Sequence, residues 1–508
     1  MRLSNYLTAA VAVLVATLAT VTMGENSVFS YYYWQADGIQ PWEQPGNAVT
    51  HVIFSFANIL RDGTVTLQGP PNTAAGRTAL AMATTQQYGN SDTTKCNCEG
   101  GCLKGQLWQF FLLKQKYPHL KTLLSIGGWV WSDNFSAAFS NQNSRANAIK
   151  TTANLLTTYG FDGLDIDWEF PTSAKADFPN WTTSPNDVTY LLNFFTEARA
   201  YFNGNNMKDA LLTMAGTSYL FAPGPWEAVG GALDYFLVMA YEFHHGQPRT
   251  YSGAALKAAS TDSAGEQKSN VDYGLTTYVT AKIPKSKIVM GIPFYGVGWS
   301  GLPSNAAARD GIPGLGIAVK DSQIMPPQGY NALMRQFSTD KSWSAKYDDK
   351  RATNVWFNGS AVWFMESPQS IAAKAKYVAD NGYAGVMFWN SNQDTTDTAT
   401  SLITAVAAAY PVNTKNGRAT PFCLTPPSDG KLQWCNLACG YTALANSTNS
   451  GNKGSGNTGG PGALVPSIPA GSQNAGGFGT SAAVMSSGSA WVSAVVALVA
   501  AAAVLALH

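Results

Sequence analysis

Short apolar runs recur along most of this chain, separated by longer stretches that read as helices. Val28–Trp34, His51–Asn58, Thr122–Gly127, Gly163–Glu169, Ala210–Gly216, Tyr235–Tyr241, Ile288–Tyr295 and Gly385–Trp389 form a set of eight. Several are apolar at successive positions, which predicts strands covered on both faces, as in a parallel sheet. Ser144–Tyr159, Val188–Phe202 and Pro368–Asn381 carry the helical pattern between them. This alternation predicts an α/β fold, a (β/α)8 barrel, with a doubly wound sheet as the competing arrangement. One unit is oversized. Some seventy residues separate Tyr295 from the helix at Pro368, and they include the strand-like Val355–Trp356 and Ala361–Phe364. A structureless loop of that length does not suit a compact domain. A small α+β domain inserted between strand seven and helix seven, at about 298–366, is expected instead.

Unusual residues gather where these runs end. Tyr31 and Trp34 close the first, Trp129 follows the third, Glu169 ends the fourth, Tyr241 and Glu242 the sixth, and Trp389 the eighth. The C-terminal ends of the strands form the active-site face of a (β/α)8 barrel. The fourth run, Asp162-Gly-Leu-Asp165-Ile-Asp167-Trp-Glu169, is the most informative. Residues two apart on a strand share a face, so Asp165, Asp167 and Glu169 line up in one file. Leu164, Ile166 and Trp168 fill the other face. Carboxylates crowded into an apolar setting resist ionisation, and such a file suits groups that share or pass a proton. A calcium site would sit on a loop with Asn, Gly and carbonyl ligands. Asp162 is out of register with the file, which suits a structural hydrogen bond.

These residues resemble the D-x-x-D-x-D-x-E signature of glycoside hydrolase family 18, the chitinases and their relatives. Ser125-Ile-Gly127-Gly128 resembles the family's S-x-G-G element, Met239-Ala-Tyr241-Glu242 its M-x-Y-D element, and Trp389 its tryptophan on the eighth strand. The match runs from about Val28 to Pro411 and departs at Glu242, where the family usually has Asp. The resemblance implies a TIM barrel with a chitinase insertion domain as one wall of a groove. It implies a substrate-assisted reaction, in which the substrate's N-acetyl oxygen attacks the anomeric carbon. Glu169 would then be the general acid and base. Asp167 would hold the acetamide nitrogen, Asp165 would share a proton with Asp167, and Tyr241 would donate to the acetyl oxygen. Trp389 would floor the sugar site, and Trp129 would stack at a neighbouring subsite. Tyr31, Phe56, Met239, Glu242 and Tyr295 would line the pocket. Ser125, Gly127 and Gly128 would let the backbone pack closely beside the acidic strand.

The expected activity is chitin hydrolysis, with a chitin-binding lectin and an endo-β-N-acetylglucosaminidase as alternatives. Lectins of this family typically lose the acid that stands here as Glu169. No cofactor and no metal are expected, since His244-His245 has no third ligand at suitable spacing.

Composition and the chain ends add a location. The 508 residues carry a formal charge of +1 and no basic run. That excludes the clustered cationic footprint of a nucleic-acid binder; a monomer acting on a neutral partner is expected. Residues 1–24, with Arg2 before the apolar Leu7–Val21, read as a secretory signal. Cys96, Cys98 and Cys102, then Cys423, Cys435 and Cys439, suit disulfides in an oxidising compartment, and their pairing stays open. Asn134, Asn180, Asn358 and Asn446 head glycosylation sequons. Beyond the barrel at 25–411 come a Cys-containing extension at 412–440 and a Gly/Ser/Asn-rich linker at 441–489. The apolar tail at 490–508 has no basic residues after it. It reads as a glycosylphosphatidylinositol signal rather than a tail-anchored span, so the protein is expected to be secreted and held at the cell surface by a lipid anchor.

Overall fold

The computed structural model describes residues 26–34, 38–67, 105–173, 181–220, 222–243, 249–303 and 308–414. The signal segment, the six cysteines, His244-His245, Asn180, Asn446, the linker and the tail lie outside them.

In chain order the described strands are β1 (Ser27–Tyr33), β2 (His51–Ile59), β3 (Val65–Thr66), β4 (Lys121–Gly127), β5 (Gly163–Asp167), β6 (Leu211–Gly216) and β7 (Tyr235–Val238). They continue with β8 (Ile288–Pro293), β9 (Tyr295–Trp299), β10 (Ile324–Gly329), β11 (Ser344–Asp348), β12 (Thr353–Phe357), β13 (Val362–Met365) and β14 (Gly385–Trp389). The parallel order β1-β14-β8-β7-β6-β5-β4-β2 closes on itself, because β1 also pairs with β2. This is a closed eight-stranded (β/α)8 barrel, and the doubly wound alternative falls. Helices Gly105–Lys116, Gln142–Tyr159, Asp187–Gly204, Val271–Thr280 and Pro368–Asn381 are among those outside it.

Alternation along the strands sorts the core. Phe29, Ile53, Leu123, Leu237, Val289 and Met387 fill the inside, whereas Val28, Val52, Leu124, Leu164, Ile166 and Val386 pack outward against helices. On β5 that sorting aims Asp165 and Asp167 into the barrel. Trp168 turns outward, stacked on Phe135 with centroids 5.3 Å apart. An apolar outer face is therefore what holds an acidic inner face in position.

A second sheet, β10-β9-β13-β12-β11, is antiparallel and is carried between β8 and helix Pro368–Asn381. The expected start near 298 moves to Tyr295. The apolar run Ile288–Tyr295 is two strands divided at Phe294, and β9 already pairs with β10 and β13. Hydrophobicity alone does not mark that break, because both halves are buried.

Candidate active site

The centre of the site is Asp165. It is fully buried, and three hydroxyls converge on it: Tyr31 Oη (2.9 Å) and Ser125 Oγ (2.7 Å) donate to Oδ2, and Thr213 Oγ1 (2.7 Å) donates to Oδ1. The barrel makes this meeting automatic. Ser125, Asp165 and Thr213 occupy the same level on β4, β5 and β6. Burial raises the Asp165 pKa above the ordinary carboxylate value, and the three donors pull it back. Asp167, buried two residues on, faces the same way at the level of Gly127. Glu169 follows the end of β5 at the rim, half-buried, and its backbone N–H donates to Ser132 Oγ at 2.9 Å. Ser132 is itself buried and bonded to Gly128 O at 2.9 Å, which ties the end of β4 to the end of β5.

Tyr241 is buried beside the file. Desolvation, then the charges of Asp167, Glu242, Glu169 and Asp165, hold its pKa well above 10.0. It stays a neutral hydroxyl, able to donate. The run read as a strand to Tyr241 ends at Val238. Past it, Met239 N–H bonds Gly216 O and Tyr241 N–H bonds Met239 O, so the chain curls over the barrel mouth. Glu242 is exposed at φ +61°, a left-handed position that an L-residue adopts at a cost. Its Oε1 accepts from Tyr295 Oη at 2.8 Å, and the Tyr295 and Tyr241 rings meet edge to face at 6.1 Å.

Trp389 ends β14 half-buried. Its ring stacks on Phe56 (5.6 Å, 23°) and touches Tyr31 and Tyr33, each at 5.7 Å. Phe56 has room because position 128 is glycine: a Cβ there would lie 2.6 Å from its ring. Gly127, at φ +110°, is tighter, since a Cβ would come within 2.3 Å of Asp167 O. Trp129 is 39% exposed at the mouth, and Met239 is half-buried.

The remaining sequence candidates lie apart. Asp162 sits at the opposite end of β5, where its Oδ2 accepts from Lys114 Nζ and Thr122 N–H, both at 2.7 Å. Asn134 donates its amide to Ile59 O at 3.0 Å, and Asn358 accepts from Ala361 N–H at 2.8 Å in the β12–β13 turn. Among the described residues no three His, Cys, Asp or Glu side chains gather as a metal site. Sequence reasoning missed Thr213, Ser132 and Tyr33. A threonine inside an apolar strand, level with an acid, is the one signal that could have been read.

An acidic file inside a (β/α)8 barrel, with tyrosine hydroxyls around it and a stacked tryptophan beside it, is the equipment of one class of protein, the acid–base enzymes. The comparisons make the class specific. The profile described as "Glycosyl hydrolases family 18" matches residues 27–394. Chitinase 1 of Aphanocladium album is 28% identical over 361 residues, covering 70% of this chain and 77% of that protein. Chitinase ChiA74 from Bacillus thuringiensis superposes with a TM-score of 0.65 at 23% identity, over 77% of this chain and 70% of that one. A variant of the class V chitinase from Nicotiana tobaccum in complex with NAG4 does so at 0.60 and 21%, over 76% and 99%. The chain belongs to glycosyl hydrolases family 18 and is a glycoside hydrolase.

Proposed function

We propose that this glycoside hydrolase is a chitinase. It cuts β-1,4 bonds between N-acetylglucosamine units, with the substrate's own N-acetyl oxygen as nucleophile. The observation that carries the reading is the retained file Asp165–Asp167–Glu169 with neutral Tyr241 buried beside it. An ordinary retaining glycosidase uses one carboxyl as acid and a second as nucleophile. Here two of the three acids are buried within the barrel, and only Glu169 reaches the rim where a glycosidic oxygen would lie.

Glu169 protonates the leaving oxygen and then takes a proton from water. Bond cleavage puts positive charge on the sugar ring and its acetamide. Asp167 faces that charge and accepts from the acetamide N–H, which makes the acetyl oxygen the better nucleophile. Tyr241, held neutral, donates to that oxygen and orients it. Asp165 keeps the proton balance of Asp167, because two adjacent buried carboxyls do not both ionise cheaply. Trp389 offers the sugar a flat face, backed by Phe56 and Tyr33.

Glu169→Gln tests the reading with purified protein and N-acetylglucosamine oligomers, with product lengths measured. Hydrolysis is expected to fall by a factor on the order of 10³ or more, while oligomer affinity stays within a few-fold. Full activity in this variant removes the assignment. A wild type that binds oligomers without cutting them is a lectin.

A further inference from the structure

We infer that Arg351, clamped by Asp262, is the latch that fixes the inserted sheet against the barrel, and that it is thereby a positioning residue for extended substrate. The inference rests on the chitinase reading above. Arg351 lies in the turn from β11 to β12 and is fully buried. Its Nε donates to both oxygens of Asp262, at 3.1 and 3.0 Å, and Nη2 also donates to Oδ1 of the same carboxylate. Nη2 reaches Asp310 Oδ2 at 2.7 Å, and Nη1 reaches Asp348 Oδ2 at 2.8 Å. Arg309 donates to Glu266 at 2.8 and 3.0 Å, and its guanidinium and that of Arg351 lie 5.6 and 5.7 Å from the ring of Tyr251. Tyr251 Oη donates to Asp262 Oδ2 at 2.6 Å.

The partners fall on two sides of a seam. Arg309, Asp310, Asp348 and Arg351 belong to the insertion. Tyr251, Asp262 and Glu266 belong to the segment after β7, the strand that leads into Tyr241 and Glu242. Backbone bonds cross the same seam: Leu256 N–H to Arg351 O at 2.7 Å, and Thr250 N–H to Ile317 O at 2.9 Å. Toward the substrate side the seam continues at Ser252, whose Oγ donates to Thr353 Oγ1 at 3.0 Å, both residues being buried. A small cleft with room for about one water is lined there by Glu242, Ser252, Tyr295, Thr353 and Glu366. Beyond it Tyr295, on β9 of the same sheet, meets Glu242.

Desolvated charge is a poor adhesive but a demanding one. Apolar side chains of similar volume would stabilise the seam as well, without fixing its geometry. The Arg fork accepts a carboxylate in one orientation. That directionality sets where the sheet stands, and so where Tyr295 finds Glu242.

The experiment uses Arg351→Lys, which keeps the charge and loses the fork. KM for an N-acetylglucosamine hexamer is expected to rise about tenfold while kcat on a short chromogenic dimer stays within about twofold. Tyr295→Phe is expected to raise the hexamer KM as well, and the double variant no further than the larger single effect. Hydrogen exchange at the Leu256 and Thr250 amides is expected to speed up in Arg351→Lys, a readout that needs no substrate. Should that variant not fold, Asp262→Asn, which keeps the shape and weakens the clamp while Asp310 and Asp348 still neutralise Arg351, is expected to give a KM rise in the same direction. A folded variant with unchanged hexamer KM, or with kcat lowered equally on both substrates, overturns the latch. A wild type without hydrolysis removes the chitinase reading instead, and the latch then stands or falls on the exchange rates.

Discussion

Thr213→Val is the sharpest perturbation of the acid file. The side chains are nearly the same shape, position 213 is fully buried, and β6 keeps its pairing with β5. One thing is lost, the 2.7 Å bond from Oγ1 to Asp165 Oδ1. A hydrogen bond to a charged group contributes about 1.5–3 kcal/mol. At 1.36 kcal/mol per pKa unit, the Asp165 pKa rises by about 1–2 units on top of the rise burial already causes. The proposed mechanism requires the Asp165–Asp167 pair to have given up one of its two protons. The acid limb of kcat/KM against pH is therefore expected to move up by about 1–2 units, with the alkaline limb in place. Ser125→Ala removes one of two donors to Oδ2 and is expected to move the same limb less, because Tyr31 remains. Folding stability follows the same sign. A carboxyl whose folded pKa is raised contributes most at low pH, and that contribution is lost as pH rises through the folded value. The variant's stability should thus fall faster than the wild type's as pH rises through the Asp165 pKa. The assay is an oligomer-hydrolysis profile over the acidic range. An acid limb displaced by less than about 0.3 unit in folded Thr213→Val refutes the assignment of that limb to Asp165.

Two further outcomes separate scaffold from chemistry. Lys114→Met leaves buried Asp162 without its ammonium partner at the far end of β5. Unfolding free energy is expected to drop by about 3–5 kcal/mol in denaturant titrations. kcat of the folded fraction is expected to hold; a selective kcat loss would mean that Asp162 acts in the reaction. Gly127→Ala meets Asp167 O at 2.3 Å and a φ of +110°. It is expected to destabilise by several kcal/mol or to abolish hydrolysis outright. Near-native activity would show that the end of β4 yields freely.

The parts of the candidate site legible in sequence were those whose spacing alone brings them together. Asp165, Asp167 and Glu169 stand two apart, so one strand suffices to align them. The apolar Leu164, Ile166 and Trp168 between them state which face is inside. Thr213 was illegible for the opposite reason. It lies forty-eight positions from Asp165 along the chain, and only the barrel register makes them neighbours. Ser132 was hidden likewise, since a serine in a turn gives no sign that it will hold the backbone of Glu169. The eight strands were readable because each is an apolar run. The break at Phe294 was not, because a chain passing from one buried sheet to another changes direction without changing hydrophobicity. That blind spot covers the seam where Arg351 meets Asp262, eighty-nine positions apart. Charges scattered through loop-like sequence read one by one as solvated, and only the fold converts them into a buried cluster. A local pattern thus yields the acidic strand, whereas what holds and tunes that strand is encoded in pairings between strands and across the seam. Substitutions at Thr213 and Arg351 are accordingly where function should be most sensitive relative to what the sequence alone advertises.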